Sequence, residues 1–183
     1  MMQVPNSLKK QLAEKKTEIV SKWFHSLCQE YPDRTLKLLE SNKSLFANPV
    51  GYNLHQGLDG IFEQVIEDVG AEKLHLDLDK ILRIKAVQDF SPSQTIAFIF
   101  VLKKLIREEF RSQLSEKEMY KELVVVEQRI DDIALAAFDV YSRCREAIYQ
   151  LRIDEVKKRC SILERVNLLN QGPAATQHID KTQ

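Results

Sequence analysis

The side chains that most often bind metals or attack substrates are too widely separated in this sequence to predict such a site. No two histidines have the His-x-x-x-His spacing, and no two cysteines the Cys-x-x-Cys spacing, that commonly holds a metal ion. Gly-x-Ser-x-Gly and glycine-rich phosphate loops are also absent from the sequence. We therefore expect no metal site, no cofactor, no catalytic residue and no enzyme activity. The histidines are His25, His55, His75 and His178.

Haem and a reactive thiol require separate consideration, because each needs only one key residue. A haem would need a proximal histidine, but His55 precedes Asp59 by four residues and is expected to pair with it along a helix. Cys28 follows Phe24 at helical spacing, so a small buried hydrophobic residue is expected there rather than a nucleophile. Binding of haem or another small molecule by a globin-like chain remains the alternative interpretation.

Residues 83–94 carry polar side chains where a helix should be apolar. Lys85, Gln88 and Asp89 project near the apolar face of the predicted helix, and leaving such groups buried without partners costs several kcal/mol. In one interpretation Lys85 pairs with Asp89, and Gln88 braces the following turn. In the other, the three residues form a polar pocket for a small ligand.

The turn that follows belongs to the same motif. Ser91 is predicted to cap the next helix, with Pro92 as its first residue and Gln94 returning a hydrogen bond in a capping box. Ser93 lies within this turn and completes the candidate pocket or structural motif.

The composition favours one soluble, all-α domain. The 27 basic and 27 acidic residues give a net charge of zero, which disfavours a nucleic-acid binder. The longest apolar run, residues 96–102, is far shorter than the roughly 20 residues of a membrane span. The N-terminus has no signal-peptide pattern, and three widely spaced cysteines suit a reducing compartment, so a cytoplasmic location is expected.

Helix signals divide the chain into about six helices in a globin-like or bundle arrangement. Asn48 should cap one helix, in which Gly57 and Gly60 allow close approach of a neighbour. Asp77 is expected to open the next helix. The helix after Ser91 begins with an apolar run and is predicted to be the buried, central one.

The last predicted helix is long, because no Gly or Pro interrupts the sequence from Ser115 to Gly172. Apolar residues occupy two heptad series from Met119 to Leu151, which predicts a homodimer along this helix. The expected divisions are an all-α domain over residues 1–151, a helical extension over 152–169 and a disordered tail over 170–183. The candidate dimer seam consists of Val140, Cys144, Ala147 and Leu151.

Residues 83–94, followed by residues 98–109, resemble the N-terminal domain family of RsbRD-type RsbT co-antagonists. Residues 46–51 and 57–58 also resemble that family, and the resemblance spans roughly residues 14–151. It implies a sensory or regulatory domain of bacterial signalling, related to stressosome input domains that resemble haem-free globins and dimerise. Family members usually precede a sulfate-transporter/anti-sigma-antagonist (STAS) domain or a histidine kinase. Because few residues follow Leu151, we expect a stand-alone domain whose partners are a second copy and an unidentified signalling protein.

Overall fold

The computed structural model describes residues 6–41, 46–67, 69–88 and 90–170 of the chain. These residues form six α-helices and no β-strand, which confirms the predicted all-α class and the long C-terminal helix. None of these helices has the length and apolar character needed to cross a membrane. The helices are α1 (Asn6–Cys28), α2 (Asp33–Ser41), α3 (Pro49–Ile66), α4 (Ala71–Val87), α5 (Pro92–Glu109) and α6 (Lys117–Asn170).

The chain divides into two units, Met1–Arg145 and Glu146–Gln183, and α6 supplies residues to both. This division falls a few residues before the boundary at residue 151 that the sequence predicts. The predicted disordered tail lies outside the described residues, except for Asn170 at the end of α6.

Helix α3 provides the centre of the first unit. It carries more buried residues than α4 or α5, and they occupy every turn of the helix. Helix α5, predicted to be the central, buried helix, also buries one face, but its apolar residues Ala97 and Phe100 are exposed. An apolar run does not by itself require burial of every face, since folded proteins commonly leave apolar side chains at the surface. The buried residues of α3 are Gly51, Leu54, Gly57, Leu58, Gly60, Ile61, Phe62, Gln64, Val65 and Ile66.

Two glycines allow α4 to lie directly against α3, which confirms the predicted close approach. A Cβ atom on Gly60 would lie 2.1 Å from Oδ2 of Asp77. A Cβ atom on Gly57 would lie 2.9 Å from the Asp77 carbonyl oxygen and 2.7 Å from the Ile81 side chain. A Cβ atom at either position would require Asp77 or Ile81 to move.

Asp77 was expected at the start of α4, but it lies in the middle of that helix and is buried. Helix α4 begins earlier, at Ala71, after Gly70 in a left-handed conformation with φ 94°. The carboxylate of Asp77 pairs with Lys80 (2.7 Å) and Lys73 (3.3 Å), which compensates for its burial.

The start of α3 is fixed as the sequence predicts. Oδ1 of Asn48 accepts a hydrogen bond from the Gly51 amide (2.9 Å), and Pro49 occupies the first helical position. The Asn48 amide also donates to the carbonyl oxygens of Leu38 (2.9 Å) and Leu39 (2.8 Å). One side chain therefore caps α3 and fastens it to α2.

In the first unit, the apolar stripe of α6 is buried in the core of its own chain. Intramolecular packing therefore accounts for the heptad pattern over this part of the helix. The buried stripe consists of Met119, Leu123, Val126, Ile130, Ile133, Ala134, Ala137, Val140 and Tyr141.

Two arginines of α6 hold the ends of other helices in the first unit. Arg129 is buried and donates to the carbonyl oxygen of Val65 (3.1 Å), at the end of α3. Arg145 donates to the carbonyl oxygen of Ala86 (2.9 Å), at the end of α4. Guanidinium groups suit these positions because the last carbonyl oxygens of a helix receive no hydrogen bond from within the helix and carry partial negative charge.

Gly60→Ala tests whether the contact between α3 and α4 depends on the missing side chain. Alanine favours a helix by about 1 kcal/mol over glycine, but the clash with Asp77 should reverse the sign and destabilise the chain by about 1–3 kcal/mol. Urea unfolding of the full chain measures this. In an Asp77→Ala background the same substitution should be neutral or stabilising. A Gly60→Ala chain more stable than wild type would contradict the assigned contact.

Candidate functional site

A completely buried lysine lies where the ends of α1 and α4 meet. Lys85, in the last turn of α4, is fully shielded from solvent and forms an ion pair with the carboxylate of Glu30. Glu30 follows the end of α1 and retains partial exposure, with 29% of its side chain accessible. A buried ammonium group therefore has its counter-charge in a group that still reaches water.

Aromatic rings surround the rest of the ammonium group. Nζ of Lys85 lies 4.8 Å from the ring centroid of Phe90 and 5.6 Å from that of Phe98. Both distances are within the range of cation–π attraction. Behind Phe98, Trp23 stacks at 6.0 Å and its indole nitrogen donates to the Phe98 carbonyl oxygen (2.7 Å). The site thus ties α1, α4 and α5 together.

Three buried oxygen atoms form no hydrogen bond with the described residues: Tyr31 Oη, Gln88 Oε1 and, one turn before Phe98 in α5, Thr95 Oγ1. Burial raises the pKa of the Tyr31 hydroxyl to about 12, and the nearby Gln88 side chain partly offsets that rise without the geometry of a true hydrogen bond. Each such atom costs about 1–3 kcal/mol when unsatisfied. We call Glu30, Tyr31, Lys85, Gln88, Phe90, Thr95 and Phe98 the Lys85 cluster.

Lys85 pairs with the carboxylate of Glu30, a partner that the sequence does not predict. Asp89, the partner expected from the sequence, lies outside the described residues. Its pairing with Lys85 and its place in a polar pocket therefore both stay predictions. Gln88 is partly buried, and its amide oxygen forms no hydrogen bond within the described part of the chain, so the predicted bracing of the turn stays a prediction.

The two serines of the motif lie at the surface. Oγ of Ser91 accepts from the Gln94 amide (3.3 Å), and the Gln94 side chain accepts from the Ser91 amide (2.9 Å), so the predicted capping box is confirmed. The hydroxyls of Ser91 and Ser93 are 3.1 Å apart, and both residues are exposed. Ser91 therefore caps α5, and Ser93 contacts that cap at the surface.

The cysteines differ sharply in environment. Cys28 is fully buried, and burial raises the pKa of its thiol to about 12, as expected for a structural residue. Cys144 is partly buried, with its Sγ 3.8 Å from Oδ1 of Asp79, and burial raises its pKa as well. Cys160 is exposed in the second unit.

The three described histidines have different surroundings. Nδ1 of His25 lies 2.6 Å from the Glu40 carboxylate at the surface. The ring of His55 packs 5.5 Å from that of Phe24, and His75 is exposed within α4. Among the described residues, no group of three or more His, Cys, Asp or Glu is arranged to hold a metal ion. His178 lies outside these residues.

The predicted dimer seam is divided between the two units. Val140 is buried in the core of the first unit. The prediction that it contacts a second copy is therefore wrong, because its side chain is not available to a partner. Cys144 is partly buried beside Asp79. Ala147 and Leu151 belong to the second unit and are exposed.

The second unit exposes a series of large apolar side chains along α6. Their accessible fractions range from 45% to 70%. We call them the C-terminal ridge: Tyr149, Leu151, Ile153, Val156, Ile162, Leu163 and Val166.

Sequence reasoning missed Glu30, Thr95 and Arg129. Glu30 lies in a short turn with no periodic signal, and its partner is distant in sequence. Arg129 could have been found from the sequence, because it lies within the apolar stripe of α6, where a side chain is expected to be buried.

Glu30→Gln tests whether the charge of Lys85 depends on this single carboxylate. Removing one partner of a buried ion pair should destabilise the chain by about 3 kcal/mol, because the ammonium group loses its compensation. Lys85→Met should cost clearly less, since the partly exposed Glu30 can then be hydrated. Chemical denaturation of both variants provides the measurement. Equal losses in the two variants would show that Lys85 is compensated elsewhere.

Comparison with known proteins identifies a family for most of this chain. The family described as RsbT co-antagonist protein rsbRD N-terminal domain matches residues 17–156, which include the whole Lys85 cluster. No curated protein and no solved structure matches the chain, so the globin-like arrangement stays a prediction. The matched residues make up most of the chain and cover the core helices of the first unit. The chain therefore belongs to the RsbT co-antagonist protein rsbRD N-terminal domain family, which is associated with signalling rather than with a known enzyme activity.

Proposed function

We propose that the chain is a non-enzymatic regulatory domain of bacterial signalling that acts in the cytoplasm through protein–protein interaction. Membership of the rsbRD N-terminal domain family supports the signalling role. The proposed partners are a second copy of the chain and a signalling protein of unidentified type. The net charge of zero supports a protein partner over a nucleic acid.

The C-terminal ridge is the observation that carries this proposal. Burying a large aliphatic side chain is worth about 1.5–3 kcal/mol relative to leaving it in water. The ridge exposes several such side chains along a single helix. A helix in water gains most of its stability from tertiary packing of its apolar face. Coverage of the ridge by another protein removes the free-energy cost of leaving these apolar side chains in water.

A second copy of the chain is the simplest partner. Closed two-fold pairing is the commonest assembly of soluble proteins, and it covers the same surface on both chains at once. Of the seam residues predicted from the sequence, Ala147 and Leu151 are exposed, as are the other residues of the ridge.

Binding of a small polar molecule at the Lys85 cluster is the second candidate. It is favoured by the buried oxygens of Tyr31, Gln88 and Thr95, which have unused hydrogen-bonding capacity within the described residues. A regulatory domain that binds such a molecule would couple it to the packing of α1, α4 and α5. Native mass spectrometry of the freshly purified chain distinguishes the candidates, since a bound molecule adds mass and a dimer doubles it.

Sedimentation equilibrium of the full chain at micromolar concentration tests the proposed self-association. We expect a mass of about twice the 21.3 kDa of one chain. The double variant Val156→Glu/Leu163→Glu should sediment as a monomer, because it places carboxylates on the ridge. Leu76→Glu, an equally exposed leucine of α4, is the matched control and should remain dimeric. A monomeric wild-type chain throughout this range would contradict the proposal.

A further inference from the structure

The ridge residues do not all lie on one side of the helix. We infer that α6 pairs in parallel and in register with α6 of a second copy along Tyr149, Ile153, Val156, Cys160 and Leu163. We call these five residues the second-unit seam. This inference rests on the proposed self-association and specifies which face, orientation and register it uses.

The spacing of the seam residues is that of a coiled coil. Consecutive members are separated by four, three, four and three residues, which brings them into one line on an α-helix. All five are exposed in the second unit. The apolar pattern of the seam predicted from the sequence ends at Leu151. Seven residues after Ala147 and Leu151 the chain has the charged residues Asp154 and Lys158. The two seams therefore lie on different faces of the helix.

Polar residues define where the second-unit seam begins. Ser142 lies seven residues before Tyr149, and Glu146 lies seven residues before Ile153. Asp139 lies seven residues before Glu146. Identical carboxylates facing each other across a two-fold axis repel, so pairing through Asp139 and Glu146 is disfavoured. The apolar contact therefore starts at Tyr149.

Asn167 supports both the number of strands and the register. It lies one heptad after Cys160, in the same series as Ile153, and it is exposed. A single asparagine at such a position specifies register and oligomeric state in coiled coils, because its amide is satisfied only by the same residue of the partner helix.

Flanking charges favour the parallel arrangement at the C-terminal end of the seam. Arg159 and Glu164 occupy the two flanking positions that meet between parallel helices, so each Arg159 faces Glu164 of the second copy. One repeat earlier the like charges Arg152 and Lys157 meet. The attractive and the repulsive contact offset each other, so pairing along the seam depends on its apolar residues, and its register on Asn167.

Cys160 gives a direct test, because an in-register parallel pair brings the two Cys160 thiols face to face. Diamide treatment of the full chain should form a Cys160–Cys160 disulfide, with diamide taking up the two electrons and two protons that the thiols lose. We expect a covalent dimer on a non-reducing gel with wild type and with Cys144→Ser, and at least about a tenfold lower yield with Cys160→Ser. No covalent dimer, or an undiminished one in Cys160→Ser, would overturn the parallel register.

Two matched substitutions test the face independently of cysteine chemistry. Ile153→Glu changes the seam and should raise the dimer dissociation constant by at least about 100-fold, because a carboxylate is buried between apolar residues. Leu151→Glu changes an exposed residue of the other face and should alter that constant by less than about threefold. A chain that dimerises but dissociates only with Leu151→Glu refutes the seam and leaves the proposed function intact. A wild-type chain that never dimerises contradicts both.

Discussion

An apolar stripe on a helix must be covered, and α6 meets this requirement differently in its two parts. In the first unit the stripe from Met119 to Val140 is buried against the other helices of the same chain. In the second unit the apolar residues of the same helix are exposed. The first part accounts for folding of the domain, and the second accounts for the proposed association. A single helix thus connects the internal packing of the chain to its proposed partner.

The first unit contains a buried charge that hydrophobic packing alone does not explain. Lys85 is surrounded by Phe90 and Phe98 and depends on Glu30 for its counter-charge. An ion pair of this kind contributes little net stability compared with an apolar replacement, but removing one partner is costly because it leaves a buried charge uncompensated. The position of Lys85 makes the packing of α1, α4 and α5 depend on this one ion pair and the rings around it.

Local signals predicted the features that depend on neighbours in sequence. The Asn48 and Ser91 caps and the close approach at Gly60 were predictable, because each follows from residue type at a helix end or interface. Pairings between distant segments were not, as Lys85 with Glu30 shows. Asp77 was misplaced because an aspartate that favours helix starts can also be buried when lysines of its own helix neutralise it.

Hydrogen–deuterium exchange of the full chain at several protein concentrations tests the central claim that a second copy covers the exposed part of α6. Amide protection over residues 149–163 should increase as concentration rises through the dimer dissociation constant, because pairing stabilises that helix. Protection over the buried stripe of the first unit should stay constant. Protection over residues 149–163 that is independent of concentration while sedimentation changes from monomer to dimer would contradict the account.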